Sequence, residues 1–138
     1  MAESLTPDAV NEMVATAFPG SRARCVELGA SHAVAEMLTD DLDIRPGGFV
    51  AGPTQFALAD AALWYLVFGA LGRIEPMALT SELSIRYLRP AIGSTLHARA
   101  DLAAMSRRSV VGSVTLWTGD ANKPTSVAQG TYALPLAT

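Results

Sequence analysis

From Gly47 to Gly72 the chain reads GGFVAGPTQFALADAALWYLVFGALG and carries a single charged side chain, Asp60. Proline suits the first position of a helix, so Pro53 is the expected start, and the Ala and Leu that dominate the following residues favour helix. Apolar residues fall on every side of it, which predicts a helix buried centrally in the fold. A carboxylate on such a helix has to be paired, hydrogen-bonded or functional, because burying it alone costs several kcal/mol or raises its pKa. Asp60 is therefore the first candidate for chemistry.

The rest of the chain bounds what that helix can belong to. With 138 residues there is room for one domain with a real core, so residues 1–138 are read as a single domain with residues 1–22 as a helical segment packing on it. Half the residues are hydrophobic and the net charge is −3, which excludes disorder and provides no general basic surface for nucleic acid. So apolar a composition in a short chain also suggests burial against another subunit. Cys25 is the only cysteine, so no intrachain disulfide forms, and no basic-then-apolar leader opens the sequence; a reducing, cytoplasmic setting is expected. Phe56 to Gly72 approaches the length of a membrane span, but no second span or aromatic belt accompanies it, and no membrane association is expected.

Thr6-Pro7-Asp8 opens a short helix with Thr6 as N-cap, and Pro19-Gly20 closes it. Val10, Met13, Val14, Ala17 and Phe18 give it one apolar stripe. Arg24 to Ala30 and Ala33 to Thr39 read as two short strands, and Asp40 to Gly48 as a loop feeding the central helix. Beyond Gly72 the period changes to two. Leu79 to Arg89 predicts a half-buried strand with its odd positions inward, followed by a turn at Arg89 to Gly93. In the next strand Leu96, Ala98, Ala100, Leu102 and Ala104 alternate with polar residues; Ser106 to Ser109 is a hairpin turn, and Val110 to Thr118 and Ser126 to Leu134 complete four strands. Consecutive strands with short turns are expected to pair antiparallel. The order predicts an α+β fold in which an antiparallel sheet wraps a long apolar helix.

Phe56-Ala57-Leu58-Ala59-Asp60 behind a glycine-containing helix entrance, followed by a strand ending Tyr87-Leu88-Arg89-Pro90-Ala91, resembles the hotdog fold. The sequence is most similar to the acyl-CoA thioesterases of the phenylacetate-pathway (PaaI-like) group, over roughly Arg24 to Leu134. The resemblance implies hydrolysis of an acyl-CoA thioester at a site on a dimer interface, in a homodimer or homotetramer. It implies no metal or other cofactor, coenzyme A being part of the substrate. In that group the helix opens His-Gly-Gly, and an Asp eight positions after the first Gly acts as base or nucleophile. Gly52 and Asp60 match these two positions, and Thr80 falls where relatives carry a Ser or Thr that orients water or carboxylate. Ala51 stands in place of the His, Pro53 in place of the second Gly, and Arg45 near a frequent Asn.

The chemistry favours the same positions. Thioester hydrolysis needs a donor for the carbonyl oxygen and a base or nucleophile at the carbonyl carbon. Gly52 offers a free N–H at a helix N-terminus, whereas Pro53 has none. Eight helical residues put Gly52 and Asp60 about 12 Å apart along the axis, so one helix cannot bring both to one reacting centre and a joint site has to be shared between subunits. Further substrate-binding candidates are Arg45, Gly48, Phe49, Phe56, Trp64, Arg89, Arg107 and Arg108, of which Arg89, Arg107 and Arg108 are for the phosphates of coenzyme A and the aromatics for the acyl group.

Each candidate has a plainer role. Asp60 can pair with an Arg, Gly52 can permit close packing, Thr80 can be an ordinary strand residue, the arginines can be solvated charges and the aromatics core. His32, His97 and Cys25 lack the spacing of a metal or nucleophile site and are read as structural. Two other functions compete: an acyl-CoA-binding protein without catalysis, favoured by the missing His, and a hotdog hydratase or dehydratase, which usually needs a His in the site.

Overall fold

A computed structural model describes residues 5–135. Helix α1 (Pro7–Ala17) is capped by the Thr6 hydroxyl, which accepts from Ala9 N–H at 3.1 Å. Strands β1 (Arg24–Leu28) and β2 (His32–Leu38) follow, each ending a residue or two short of its expected limit. The stretch expected to be loop holds a 3-10 turn (Asp41–Asp43) and a small hairpin of β3 (Ile44–Arg45) and β4 (Phe49–Val50). Gly48, at φ +82°, makes its tight turn, a conformation open to glycine at little cost.

The central helix α2 runs from Gly52 to Leu71, so Gly52 rather than Pro53 is its first residue. Proline is equally at home at the second position, where the N–H it lacks would have no intrahelical partner. Strands β5 (Leu79–Tyr87), β6 (Thr95–Met105), β7 (Ser109–Trp117) and β8 (Ser126–Ala133) complete a six-stranded antiparallel sheet in the order β1-β2-β6-β7-β8-β5. The sheet packs its inner face on α2, which confirms the α+β hotdog architecture.

Two expectations about the sheet are corrected. β5 and β6 are consecutive but do not pair; β5 lies at the far edge, on β8. The connection between them spans the width of two intervening strands, about 14 Å, within the reach of its seven residues. The alternation of β5 holds at Leu83 and Ile85, which pack on the core, but fails at Leu79, which is 66% exposed. Thr80 pairs with Tyr132 and Glu82 with Thr131, so Ser81 is an extra residue in a bulge. The bulge reverses the alternation at the start of β5 and aims Thr80 to the helix side. A second bulge, between Leu102 and Ala104, ends the inward run of β6 after Ala100.

The helix is not enclosed on every side either. Leu58, Ala59, Ala62, Leu63 and Leu66 are buried against the sheet, while Pro53, Phe56 and Ala57 are exposed and Asp60, Ala61 and Trp64 only partly covered. A sheet covers one side of a helix, and spacings of three and four gather these residues on the other.

Candidate functional site

Asp60 meets no arginine among the described residues. Its Oδ1 instead accepts from two hydroxyls, Thr80 Oγ1 at 2.7 Å and Tyr132 Oη at 2.7 Å. The two donors are cross-strand partners on β5 and β8, and directly opposed residues share one face of a sheet. The Ser81 bulge is thus what brings Thr80 into the site. Tyr132 is 5% exposed, and its hydroxyl also reaches the backbone carbonyl of Asp60 at 3.1 Å. Burial, with the adjacent carboxylate, raises the Tyr132 phenol well above the ordinary tyrosine range, so it stays a proton donor. No hydrogen bond to Asp60 Oδ2 is formed among the described residues.

Asp60 opens onto a cleft of about 390 Å³ whose other walls include Val14 of α1 and Phe18 just after it, Ala57, Ala61 and Trp64 of α2, and Ala78. Phe18 packs edge-on against Trp64, with ring centroids 5.3 Å apart, so the N-terminal helix forms one side of this cleft.

Gly52 lies in a different cleft, of about 430 Å³, with Phe49, Gln55, Tyr87 and Arg89. Its N–H forms no hydrogen bond among the described residues, and its carbonyl accepts from Tyr87 Oη at 2.8 Å. A Cβ at position 52 would sit 3.0 Å from the Tyr87 ring, so glycine is also what permits this close approach. The helix entrance is fixed from behind by Asp43, which takes both Arg22 nitrogens at 2.6 and 2.7 Å, Asp40 N–H at 2.8 Å and Thr54 Oγ1 at 2.9 Å.

The structure therefore joins Thr80 to Asp60 and separates both from Gly52. Trp64 goes with Asp60; Phe49 and Arg89 go with Gly52; Phe56, 39% exposed, faces outward between the two clefts. Arg107 and Arg108 occupy the β6–β7 turn, where Arg108 carbonyl accepts from Leu134 N–H, close to the end of β8 that holds Tyr132. Arg89 stands at the opposite end of that sheet edge, about 26 Å away by strand rise. One chain thus does not gather the three arginines. Arg45 and Gly48 sit on the β3–β4 hairpin before the helix entrance. His32 pairs with Glu27, and His97 stacks on Trp117 near Glu36; neither lines a cleft with Asp60 or Gly52. Burial raises the Cys25 thiol to about 11, which leaves it unreactive.

Tyr132 and Gln55 had no motif to announce them. The sequence signal for Tyr132 was its inward parity with Ala128 and Gly130 on the last strand, which needed the strand pairing before it pointed at Asp60.

Comparison with known proteins agrees with this architecture. Residues 47–125 match the family described as Thioesterase superfamily, a range that includes Gly52, Asp60 and Thr80 and stops short of Tyr132. No curated protein matches the sequence. A candidate thioesterase from a Silicibacter species is 28% identical, with a TM-score of 0.84 over 97% of this chain and 95% of that one. The phenylacetic acid degradation protein PaaI of Thermus thermophilus, in a variant form, shares the fold at 22% identity and a TM-score of 0.69, covering 82% and 93% of the two chains. A thioesterase from Haemophilus influenzae does so at 20% identity and a TM-score of 0.80, covering 95% and 91%. The family match spans more than half of the sequence, and the chain belongs to the thioesterase superfamily.

Proposed function

We propose that the protein hydrolyses an acyl-CoA thioester to the free acid and coenzyme A, with Asp60 as the reacting carboxylate. The observation that carries this reading is the arrangement at Asp60, which lines a largely apolar cleft and whose Oδ1 is occupied by Thr80 and Tyr132 while Oδ2 has no hydrogen-bond partner among the described residues. Oδ2 takes a proton from water as the water oxygen attacks the thioester carbon, or attacks that carbon itself. In either case the C–S bond breaks and the thiolate, taking up a proton, leaves as coenzyme A; direct attack leaves the acyl group on Asp60 as a mixed anhydride, which water then hydrolyses to the free acid. The carbonyl oxygen, negative in the transition state, needs donors held ready for it.

Gly52 N–H is the donor in this reading, supplied by a second subunit. Support comes from the helix, whose rise separates Gly52 from Asp60 by about 12 Å, and from their placement in different clefts. It comes also from the open stripe of Phe56, Ala57 and Trp64 and from the uncovered edge of β5, which a second copy would bury in a homodimer or a dimer of dimers. A two-fold relation that joins Asp60 to the partner's Gly52 also carries Arg89 toward the end of the sheet holding Arg107 and Arg108, where the phosphates of coenzyme A would bind. The residues named here need neither metal nor redox cofactor, and a cytoplasmic setting fits a coenzyme A ester.

The acyl-CoA-binding alternative keeps one specific observation in its favour, Ala51 where relatives place a His. A hydratase reading has no comparable support, since neither histidine lines a cleft with Asp60 or Gly52. Thiol release from short, long and aromatic acyl-CoAs by wild type, lost in Asp60→Asn, is the expected result. Tight acyl-CoA binding with no release by either protein selects the binding role.

A further inference from the structure

The Gly52 cleft holds a second polar group that no motif marks. Gln55 is 4% exposed, yet it lines the cleft one turn of helix after Gly52, at the spacing that puts two residues on one face. Its Oε1 accepts from Thr125 Oγ1 at 3.0 Å and Ser126 Oγ at 2.8 Å. Ser126 is fully buried and its hydroxyl has no other acceptor among the described residues, so the amide oxygen has to face it. Reversing the amide would leave that hydroxyl proton unpaired away from water.

The orientation fixes where the other end points. Gln55 Nε2 makes no hydrogen bond among the described residues, and no fully enclosed side-chain nitrogen or oxygen lacks a partner there. Nε2 is therefore open to the cleft that it lines with Gly52. Water can satisfy that donor in the free protein, and a carbonyl entering the cleft can take the water's place. Next to it, the helix offers Gly52 N–H but nothing from Pro53, so its first turn is one donor short.

We infer that the Gln55 side-chain amide is a second donor to the thioester carbonyl oxygen, acting beside Gly52 N–H. This rests on the thioesterase reading proposed above. Thr125 and Ser126 are positioning residues that hold the amide before substrate arrives, which is how a donor stabilises charge without reorganising. The ligand class follows from the chemistry: an acyl compound with a carbonyl acceptor at the scissile bond.

The test compares wild type with Gln55→Glu, which keeps an oxygen for Thr125 and Ser126 but replaces the NH2 donor by an acceptor. Two non-hydrolysable probes accompany the kinetics, a ketone analogue of acyl-CoA that retains the carbonyl and a thioether analogue that lacks it. The expected result is a kcat lower by about 100-fold or more with KM little changed, and loss of the wild-type preference for ketone over thioether. Ser126→Ala, which frees the amide to rotate, guards against a Gln55→Glu that does not fold; it should lower kcat by about 10-fold. Undiminished kcat in a folded Gln55→Glu, or in Ser126→Ala where that variant alone folds, overturns the inference and leaves the thioesterase reading standing. If wild type binds the probes without releasing thiol, the ketone preference decides: its loss in the variants supports the donor, its persistence overturns it. A wild type that neither releases thiol nor binds either probe overturns both.

Discussion

Tyr132 is bonded to Asp60 twice, its hydroxyl lying 2.7 Å from carboxylate Oδ1 and 3.1 Å from the backbone carbonyl of the same residue. One hydroxyl proton cannot serve both at full strength, and the shorter contact, to the charged oxygen, is the stronger. The phenol therefore ties strand β8 to the reacting group proposed on α2. Tyr132→Phe removes only the hydroxyl. It should cost about 1 kcal/mol of stability and lower kcat by about 10-fold with KM little changed. The same substitution in an Asp60→Asn background should cost no further activity, because the two groups act together. A purely structural Tyr132 would give the stability loss alone, so steady-state kinetics beside thermal unfolding separates the two.

Asp43 is the buried anchor behind the helix entrance, holding Arg22 and Thr54 at once. The hydrogen-bonded Arg22 guanidinium holds the Asp43 carboxyl well below the usual carboxylate range, against the opposing effect of its burial. A folded-state pKa below the unfolded one binds fewer protons in the folded state, so this carboxylate stabilises the fold when ionised. Its contribution is complete above about pH 4, the ordinary aspartate value, and is lost as pH falls toward the depressed value. Asp43→Asn should lower stability by about 2 kcal/mol near neutral pH and flatten the acid side of the stability profile. Urea unfolding of both proteins from neutral to acid pH measures each effect; an unflattened acid limb counts against Asp43 as its source.

Tyr87 sits against Gly52 so closely that an added Cβ would be 3.0 Å from both ring Cζ and Oη. Gly52→Ala should therefore destabilise the protein by about 1 kcal/mol through crowding. Tyr87→Phe gives little relief, because the ring carbon remains, whereas Tyr87→Val removes the clash. Denaturation of the three Gly52→Ala proteins tests this order. Equal stability in all three would show that the first turn shifts rather than the ring.

Much of this fold could be read in the period of the sequence. The uninterrupted apolar run of α2 and the alternation of the later strands follow from local backbone geometry, and the Asp60 carboxylate stood out against its surroundings. What escaped was set by contacts distant in the chain. Nothing local says that β5 pairs with β8 instead of β6, or that Ser81 bulges and turns Thr80 inward. Tyr132 and Gln55 became candidates only when Asp60 and Ser126 were brought to them, 72 and 71 residues away. The open stripe on α2 was hidden because a helix apolar all round does not reveal which side its own sheet covers.

A shared site makes a prediction that no single-chain site can meet. If each reacting centre takes Asp60 from one subunit and Gly52 N–H from the other, Asp60→Asn and Gly52→Pro proteins are each inactive for different reasons. In a mixed dimer one site inherits both defects and the other neither. Co-expression of the two variants with distinguishable tags should therefore yield hetero-oligomers with about half the wild-type activity per dimer, or about a quarter in an unfractionated random mixture. Proline is tolerated in the first turn of a helix, so loss of the N–H is the main intended change, although its ring also has to be accommodated beside Tyr87. Purified hetero-oligomers that stay as inactive as their parents would put the reacting groups within one chain or remove Gly52 from the chemistry. Recovered thiol release locates the site between subunits, where the separation of the two clefts on α2 has its use.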